Sequence, residues 1–142
     1  MNRSARIFIS LIVLGSTLFT LPACTLIPDT VRGTGDVVSV AIPFSGISGI
    51  RLATQGELVI ELGAEEKLVI AAQENLQPYI EAKLVNGRLT IETRDGFNLH
   101  PTKPIRYLLT VKSIELLSVT SAGSISAPAL EAEQFRVEIA SA

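Results

Sequence analysis

Along residues 50–62, Ile50, Leu52, Leu58, Ile60 and Leu62 fall on one parity, and Arg51, Glu57 and Glu61 on the other. A period of two marks a strand with one buried and one wet face, so the pattern predicts a strand across 50–62. Further strands are predicted at 37–44, 68–72 and 105–111, the last with Ile105, Tyr107, Leu109 and Val111 alternating with Arg106 and Thr110. Turn formers separate these runs: Gly33-Thr34-Gly35-Asp36, Gly63-Ala64-Glu65-Glu66, and a loop at 94–104 holding Asp95-Gly96, Asn98, Pro101 and Pro104. Residues 73–78 read as a loop with room for one helical turn, the one place where helix fits.

Asn86-Gly87 is a strong two-residue hairpin signal, because a type I′ turn needs positive φ at both positions. It sets a register in which Leu84 faces Leu89 and Ala82 faces Ile91. Lys83–Thr90 and Glu81–Glu92 then share the opposite face. A slip of one residue would scramble both faces.

One pattern recurs. Moved forward twenty positions, Leu117, Val119, Ser121 and Ala122 meet Val137, Ile139, Ser141 and Ala142. Moved back sixty-seven, Leu117, Val119, Ser121, Gly123 and Ile125 meet Ile50, Leu52, Thr54, Gly56 and Leu58. Strands that repeat with a small-residue corner predict an all-β, solenoid-like stack of short strands, of right-handed β-helix type. The last stretch, 134–142, reads as a rung that stops before its corner is complete. The expectation is a domain that is C-terminally incomplete, or whose last strand self-associates edge to edge, because an uncapped edge offers unpaired N–H and C=O groups.

The N-terminus is of a different kind. Arg3 and Arg6 precede a fifteen-residue apolar run at 7–21, shorter than the roughly 20 residues that span a bilayer as a helix. Basic flank, short apolar run and small residues predict a signal peptide over 1–23, followed by a polar tether over 24–32. Leu21-Pro22-Ala23-Cys24 resembles the lipobox of bacterial lipoproteins. That resemblance implies acylation of Cys24, the single cysteine of the chain, and anchoring to a membrane through lipid. Pro22 is an unusual residue at its place in that motif. In such lipoproteins an Asp after the cysteine retains the protein in the inner membrane, so the resemblance, with Thr25 at that place, implies the outer membrane.

Without residues 1–23, the remaining 119 residues suffice for one domain, 33–142. Ten Lys and Arg then face fourteen Asp and Glu, a net charge of about −4 with no block of one sign. Nucleic acid is a poor partner for such a surface, since phosphate binding needs clustered Lys and Arg.

The order of short words is similar to one bacterial family. Gly33-Thr34-Gly35, Ile47-Ser48-Gly49-Ile50, Glu74-Asn75-Leu76 before Tyr79-Ile80-Glu81, Asn86-Gly87-Arg88-Leu89, Lys103-Pro104-Ile105-Arg106-Tyr107 and the Ser121-Ala122-Gly123-Ser124 corner follow one another as in the head GIN domain of autotransporter adhesins. The resemblance covers residue 33 to the end. It implies a solenoid-like β domain with an adhesive role, exported and often lipid-anchored, and supplies no catalytic residues. Family members carry further Gly-Ser-Gly rungs where this chain stops.

Candidate chemistry is sparse. His100 is the sole histidine, and neither a second one nor a nucleophile elbow accompanies it. No metal or cofactor is expected, because ligand clusters and the Gly-Gly-x-Gly-x-Asp calcium repeat are absent from the sequence. A carbohydrate-active β-helix enzyme, a polysaccharide lyase or hydrolase, is the rival reading and requires two facing carboxylates. Glu57 with Glu61 and Glu81 with Glu92 are the available pairs, and both read as solvated acids on wet strand faces. Tyr79, Phe97 and His100, in or beside loops, form the expected contact surface. The sequence thus describes a non-catalytic envelope lipoprotein, an adhesin or scaffold whose partner is an envelope polysaccharide or protein.

Overall fold

The computed structural model describes residues 27–120, 123–127 and 136–139, where regular structure is almost all strand. In chain order these are β1 (Asp29–Arg32), β2 (Val37–Pro43), β3 (Gly49–Ala53), β4 (Gly56–Leu62), β5 (Lys67–Gln73), β6 (Ile80–Val85), β7 (Arg88–Thr93), β8 (Phe97–His100), β9 (Arg106–Val111), β10 (Leu116–Val119), β11 (Gly123–Ser126) and β12 (Arg136–Ile139). A 3-10 turn, Gln77–Tyr79, occupies the place where the sequence allowed a helical turn. Two five-stranded sheets, ordered β12-β10-β3-β7-β6 and β11-β4-β9-β5-β2, share the core, and β1 pairs with β8 in a sheet of their own. No helix among the described residues is long and apolar enough to cross a membrane.

The repeats of the sequence are neighbours in space. Leu117 pairs with Ile50 and Val119 with Leu52, where β10 runs parallel to β3. Gly123 pairs with Gly56 and Ile125 with Leu58, where β11 runs parallel to β4. The twenty-residue shift is likewise a register, with Leu117 beside Val137 and Val119 beside Ile139. Parallel stacking sets like on like, so Ile50, Leu52 and Leu58 are each paired with an apolar residue, Leu117, Val119 and Ile125. Residues 121, 122, 141 and 142, which complete both alignments, lie outside the described residues.

The stretch 50–62 is not one strand. The chain bends at Thr54 and Gln55, so that β3 lies in one sheet and β4 in the other. Parity survives the bend: Ile50, Leu52, Leu58 and Ile60 are fully buried, while Leu62 at the far end is exposed. Burying each such side chain contributes about 1.5–3 kcal/mol, so the parity dictates which way the corner folds. The stacking is also not uniformly parallel. The β6–β7 hairpin is antiparallel, as are β9–β5 and β5–β2, which makes both large sheets mixed.

The hairpin has the predicted register, with Leu84 opposite Leu89 and Ala82 opposite Ile91. Its turn has φ of 50° at Asn86 and 77° at Gly87.

Two segments read as irregular are strands. The loop 94–104 contains β8, and the tether contains β1, which runs parallel to it from Asp29 beside Phe97 to Arg32 beside His100. Register shows why the extra strand exists. β7 follows β3 at a shift of 39 residues, whereas β9 follows β4 at 49, so the second passage round the corner holds ten more residues. That surplus is the β8 excursion. Neither four-residue strand alternates long enough to announce itself, and each has its partner far along the chain.

Candidate functional site

Three amide side chains on alternate positions fasten the N-terminal segment to the core. Gln73 is buried at the end of β5, and its Oε1 accepts from Thr102 N (2.9 Å), Thr102 Oγ1 (3.1 Å) and Lys103 N (3.2 Å). Asn75 accepts from Thr34 N at 2.7 Å and donates to Arg32 O at 2.8 Å. Gln77 donates to the carbonyls of Val38 (2.9 Å) and Ile70 (3.1 Å). Gly33 must lack a side chain here, because a Cβ would lie 2.1 Å from Gln73 Oε1.

Several words that carry the family resemblance therefore meet: Gly33-Thr34-Gly35, Asn75 and Lys103 at this latch, and Ser48-Gly49 with Asn86-Gly87 at another. There, the backbone N–H groups of Ser48 and Gly49 both donate to Gly87 O, at 2.8 and 3.0 Å. These words thus supply backbone and side-chain hydrogen bonds that join segments distant in sequence.

With its base fixed, β8 presents two faces. Phe97 is half-buried and Leu99 buried on one, and Asn98 and His100 are exposed on the other. Tyr79 meets Phe97 with ring centroids 4.7 Å apart and planes tilted by 54°. The structure thus brings together two of the three expected contact residues and turns His100 away, because residues of opposite parity on a strand cannot share a face.

His100 instead borders a cleft of about 510 Å³ between β8, β1 and the β3–β4 corner. Thr30, Thr54, Gln55, Thr93, Asn98 and His100 give it polar walls, with Ala53 and Leu99 as the apolar part. The hydroxyls of Thr54 and Thr93 share a hydrogen bond of 2.8 Å. Gln55 donates its side-chain amide to Leu99 O, which ties the corner to β8. Beneath, Tyr107 donates its hydroxyl to Gln55 O at 3.2 Å, and burial pushes its phenol well above the usual range. Hydroxyls and amides are held in place here, and no carboxylate lines the cleft.

The acids lie elsewhere. Glu81 and Glu92 face each other across the hairpin, and Lys83 Nζ bridges them at 2.6 and 2.8 Å. Arg94 Nε adds a contact of 2.9 Å to Glu81. Hydrogen bonds from Lys83, then from Arg94, hold the Glu81 carboxyl below its ordinary range, so it stays ionised at neutral pH. A glycosidic acid needs the opposite shift. Glu57 lies 3.7 Å from Arg106 Nε, and Glu61 is exposed. Among the described residues, no group of three or more His, Cys, Asp and Glu could hold a metal ion.

Sequence reasoning missed the threonines and amides of the cleft. In a strand pattern Thr reads as an ordinary β-former, and the ten-residue surplus that brings Asn98 to Gln55 becomes visible only once the registers are known. The lipidation residue Cys24 and its flank Leu21, Pro22 and Ala23 lie outside the described residues, as does the signal segment 1–23.

Comparison with known proteins agrees with this architecture. A putative adhesin from Parabacteroides merdae has a TM-score of 0.64 at 16% identity, over 78% of this chain and 47% of that one. A putative adhesin from Bacteroides fragilis has a TM-score of 0.70 at 12% identity, over 78% of this chain and 53% of that one. A putative lipid binding protein from Parabacteroides distasonis has a TM-score of 0.62 at 18% identity, over 70% of this chain and 44% of that one. The chain spans about half the length of these structures, and at such identities the likeness is one of fold. No curated protein matches it. Residues 46–142, more than half of the chain, match the family model described as "Putative auto-transporter adhesin, head GIN domain", and the chain belongs to that family.

Proposed function

We propose that the protein is an exported adhesion module, held to the cell envelope by lipid at Cys24 and acting through a non-catalytic surface. In-register stacking of β3–β4 with β10–β11 supports a solenoid-like body of right-handed β-helix type. The observation that carries the functional reading is the cleft beside His100, where the Thr54 and Thr93 hydroxyls and the Gln55 amide are fixed by hydrogen bonds and no carboxylate enters. Such walls suit a neutral, hydroxyl-rich ligand, and an envelope polysaccharide is the partner of that chemistry. Family membership supports adhesion, and the ion-paired state of Glu81 and Glu92 supports a surface that binds without cleaving.

The test is retention of the purified protein on immobilised neutral polysaccharides, with product analysis on the same material. Retention without cleavage is the expected result. The double variant Asn98→Ala/His100→Ala should bind about tenfold more weakly or worse, as loss of hydrogen-bonding groups would cause, with its melting unchanged. Equal retention of the variant would refute the cleft, and turnover that Glu81→Gln abolishes would establish the enzyme instead.

A further inference from the structure

The two large sheets end in strands of unlike character. β6, at one edge, carries Glu81 and Lys83, both engaged in ion pairs. Charges of this kind keep an edge from pairing with another chain. β2 is one edge of the other sheet, opposite β11, and its seven residues, Val37-Val38-Ser39-Val40-Ala41-Ile42-Pro43, include no charge. Val37 and Val40 are among the exposed large apolar residues, at 43% and 44%.

Among the described residues, the ladder fixes which backbone groups of β2 are without a partner. Phe44 N donates to Glu66 O, and Glu74 N donates to Asp36 O. These contacts bracket the antiparallel pairing with β5, in which Val38 faces Ala72, Val40 faces Ile70 and Ile42 faces Leu68. Hydrogen-bonded pairs alternate along such a ladder, so Val38, Val40 and Ile42 direct their N–H and C=O groups to β5. Val37, Ser39 and Ala41 direct theirs outward, and Pro43 offers only a carbonyl there.

We propose that β2 is a self-association edge, at which a second copy of this chain adds its own β2 antiparallel about a twofold axis at Val40. The register follows from the pattern. Val40 lies beside the partner's Val40, Val38 beside the partner's Ile42, Ser39 beside the partner's Ala41, and Val37 beside the partner's Pro43. Ser39 and the partner's Ala41 exchange both backbone hydrogen bonds. Val37 donates to the partner's Pro43, whose missing N–H is the one group not supplied. Each outward N–H of β2 finds an acceptor, apolar faces apolar on the inner side, and no charge is brought against another. The sequence is self-complementary in the way an isologous contact requires. This edge is distinct from the C-terminal strand, on which the sequence placed self-association.

The test uses the whole chain with Cys24→Ser, which removes its only thiol, expressed in a bacterial host. Across the twofold axis the Val40 pair is not hydrogen-bonded, with Cα atoms about 4.5 Å apart, within disulfide reach. Val40→Cys should therefore yield a disulfide-linked dimer on mild oxidation. Val85→Cys, equally a valine on an edge strand but on the charged edge, should not. Light scattering should give a dimer for the parent protein and a monomer for Val40→Lys. Ala41→Pro, which removes an N–H that the chain itself does not use, should also give a monomer. Circular dichroism matching the parent shows that both variants fold. A monomeric parent would overturn the proposal. So would a dimer that survives both variants, which places the contact elsewhere, or a monomer whose Ser39 and Ala41 amides resist exchange, which shows the edge covered by the chain itself.

Discussion

Gly123 lies directly beside Gly56 in a parallel ladder, although sixty-seven residues separate them, and neither position has room for a side chain. A Cβ on Gly123 would come within 2.5 Å of Leu52 Cδ2, and one on Gly56 within 2.7 Å of Tyr107 Cε2. The corner that joins the two sheets is therefore built on paired glycines, each packed against the neighbouring strand.

Gly56→Ala should destabilise the fold strongly. Its φ of +129° is strained for any L side chain, and the added methyl presses on Tyr107 and on Ile105 O. Strain and overpacking together should cost about 2–4 kcal/mol, read as a lower midpoint in urea. An unchanged midpoint would mean that the corner tolerates another conformation.

Gln73→Leu should cost about 2–4 kcal/mol, because it leaves the Thr102 and Lys103 amides without their buried acceptor. Amide exchange should quicken at Thr102 and Lys103 before it does in β9. Uniform loss of protection would show that the latch is not a separate unit.

The ladder of Glu81, Lys83, Glu92 and Arg94 sets a pH dependence with a definite sign. Glu81 has a lowered folded pKa, so its contribution is present above the unfolded carboxylate value and lost as pH falls through the folded one. Lys83 is raised well above its usual range, chiefly by Glu81 and then Glu92. Its contribution is present below the unfolded lysine value and lost as pH rises through the folded one. Neutral pH lies inside both windows. The stability difference between the wild type and Glu81→Gln should thus be full at pH 7 and close on acidification. It should also shrink in about 1 M salt, where screening acts within about 3 Å. A difference that grows in acid would contradict the assignment.

Cys24→Ser should abolish incorporation of labelled palmitate and release the protein from the detergent phase to the aqueous one. Single-chain anchoring is marginal and two or three chains are stable, so the change should be close to complete. Equal labelling of both proteins would remove the lipid anchor from the account.

Much of the fold was legible because burial follows parity. Leu84, Leu89 and Ile91 specify the hairpin, and the turn chemistry of Asn86-Gly87 fixes its register. The shifts of twenty and sixty-seven residues proved to be strand registers, since parallel stacking sets similar residues side by side. The β1–β8 pair was not legible. β1 has one residue that is not exposed, Val31, and β8 has two, Phe97 and Leu99, and such short words carry no period. The cleft followed from that pair, so its threonines and Asn98 were hidden for the same reason. His100 was grouped with Phe97 and Tyr79, but β8 turns it from both.

The reading of the sixty-seven-residue repeat as stacked strands depends on the register in which β10 lies on β3. Arg51 and Ser118 pair across that ladder, with side chains on the face away from the core. With Cys24→Ser removing the native thiol, a protein carrying Arg51→Cys and Ser118→Cys should be joined within one chain by a short bifunctional thiol reagent. Moving the second cysteine to Glu115, where no pairing with β3 exists, should reduce the yield several-fold. Equal yields from the two proteins, or joining only between chains, would contradict the register on which the account is built.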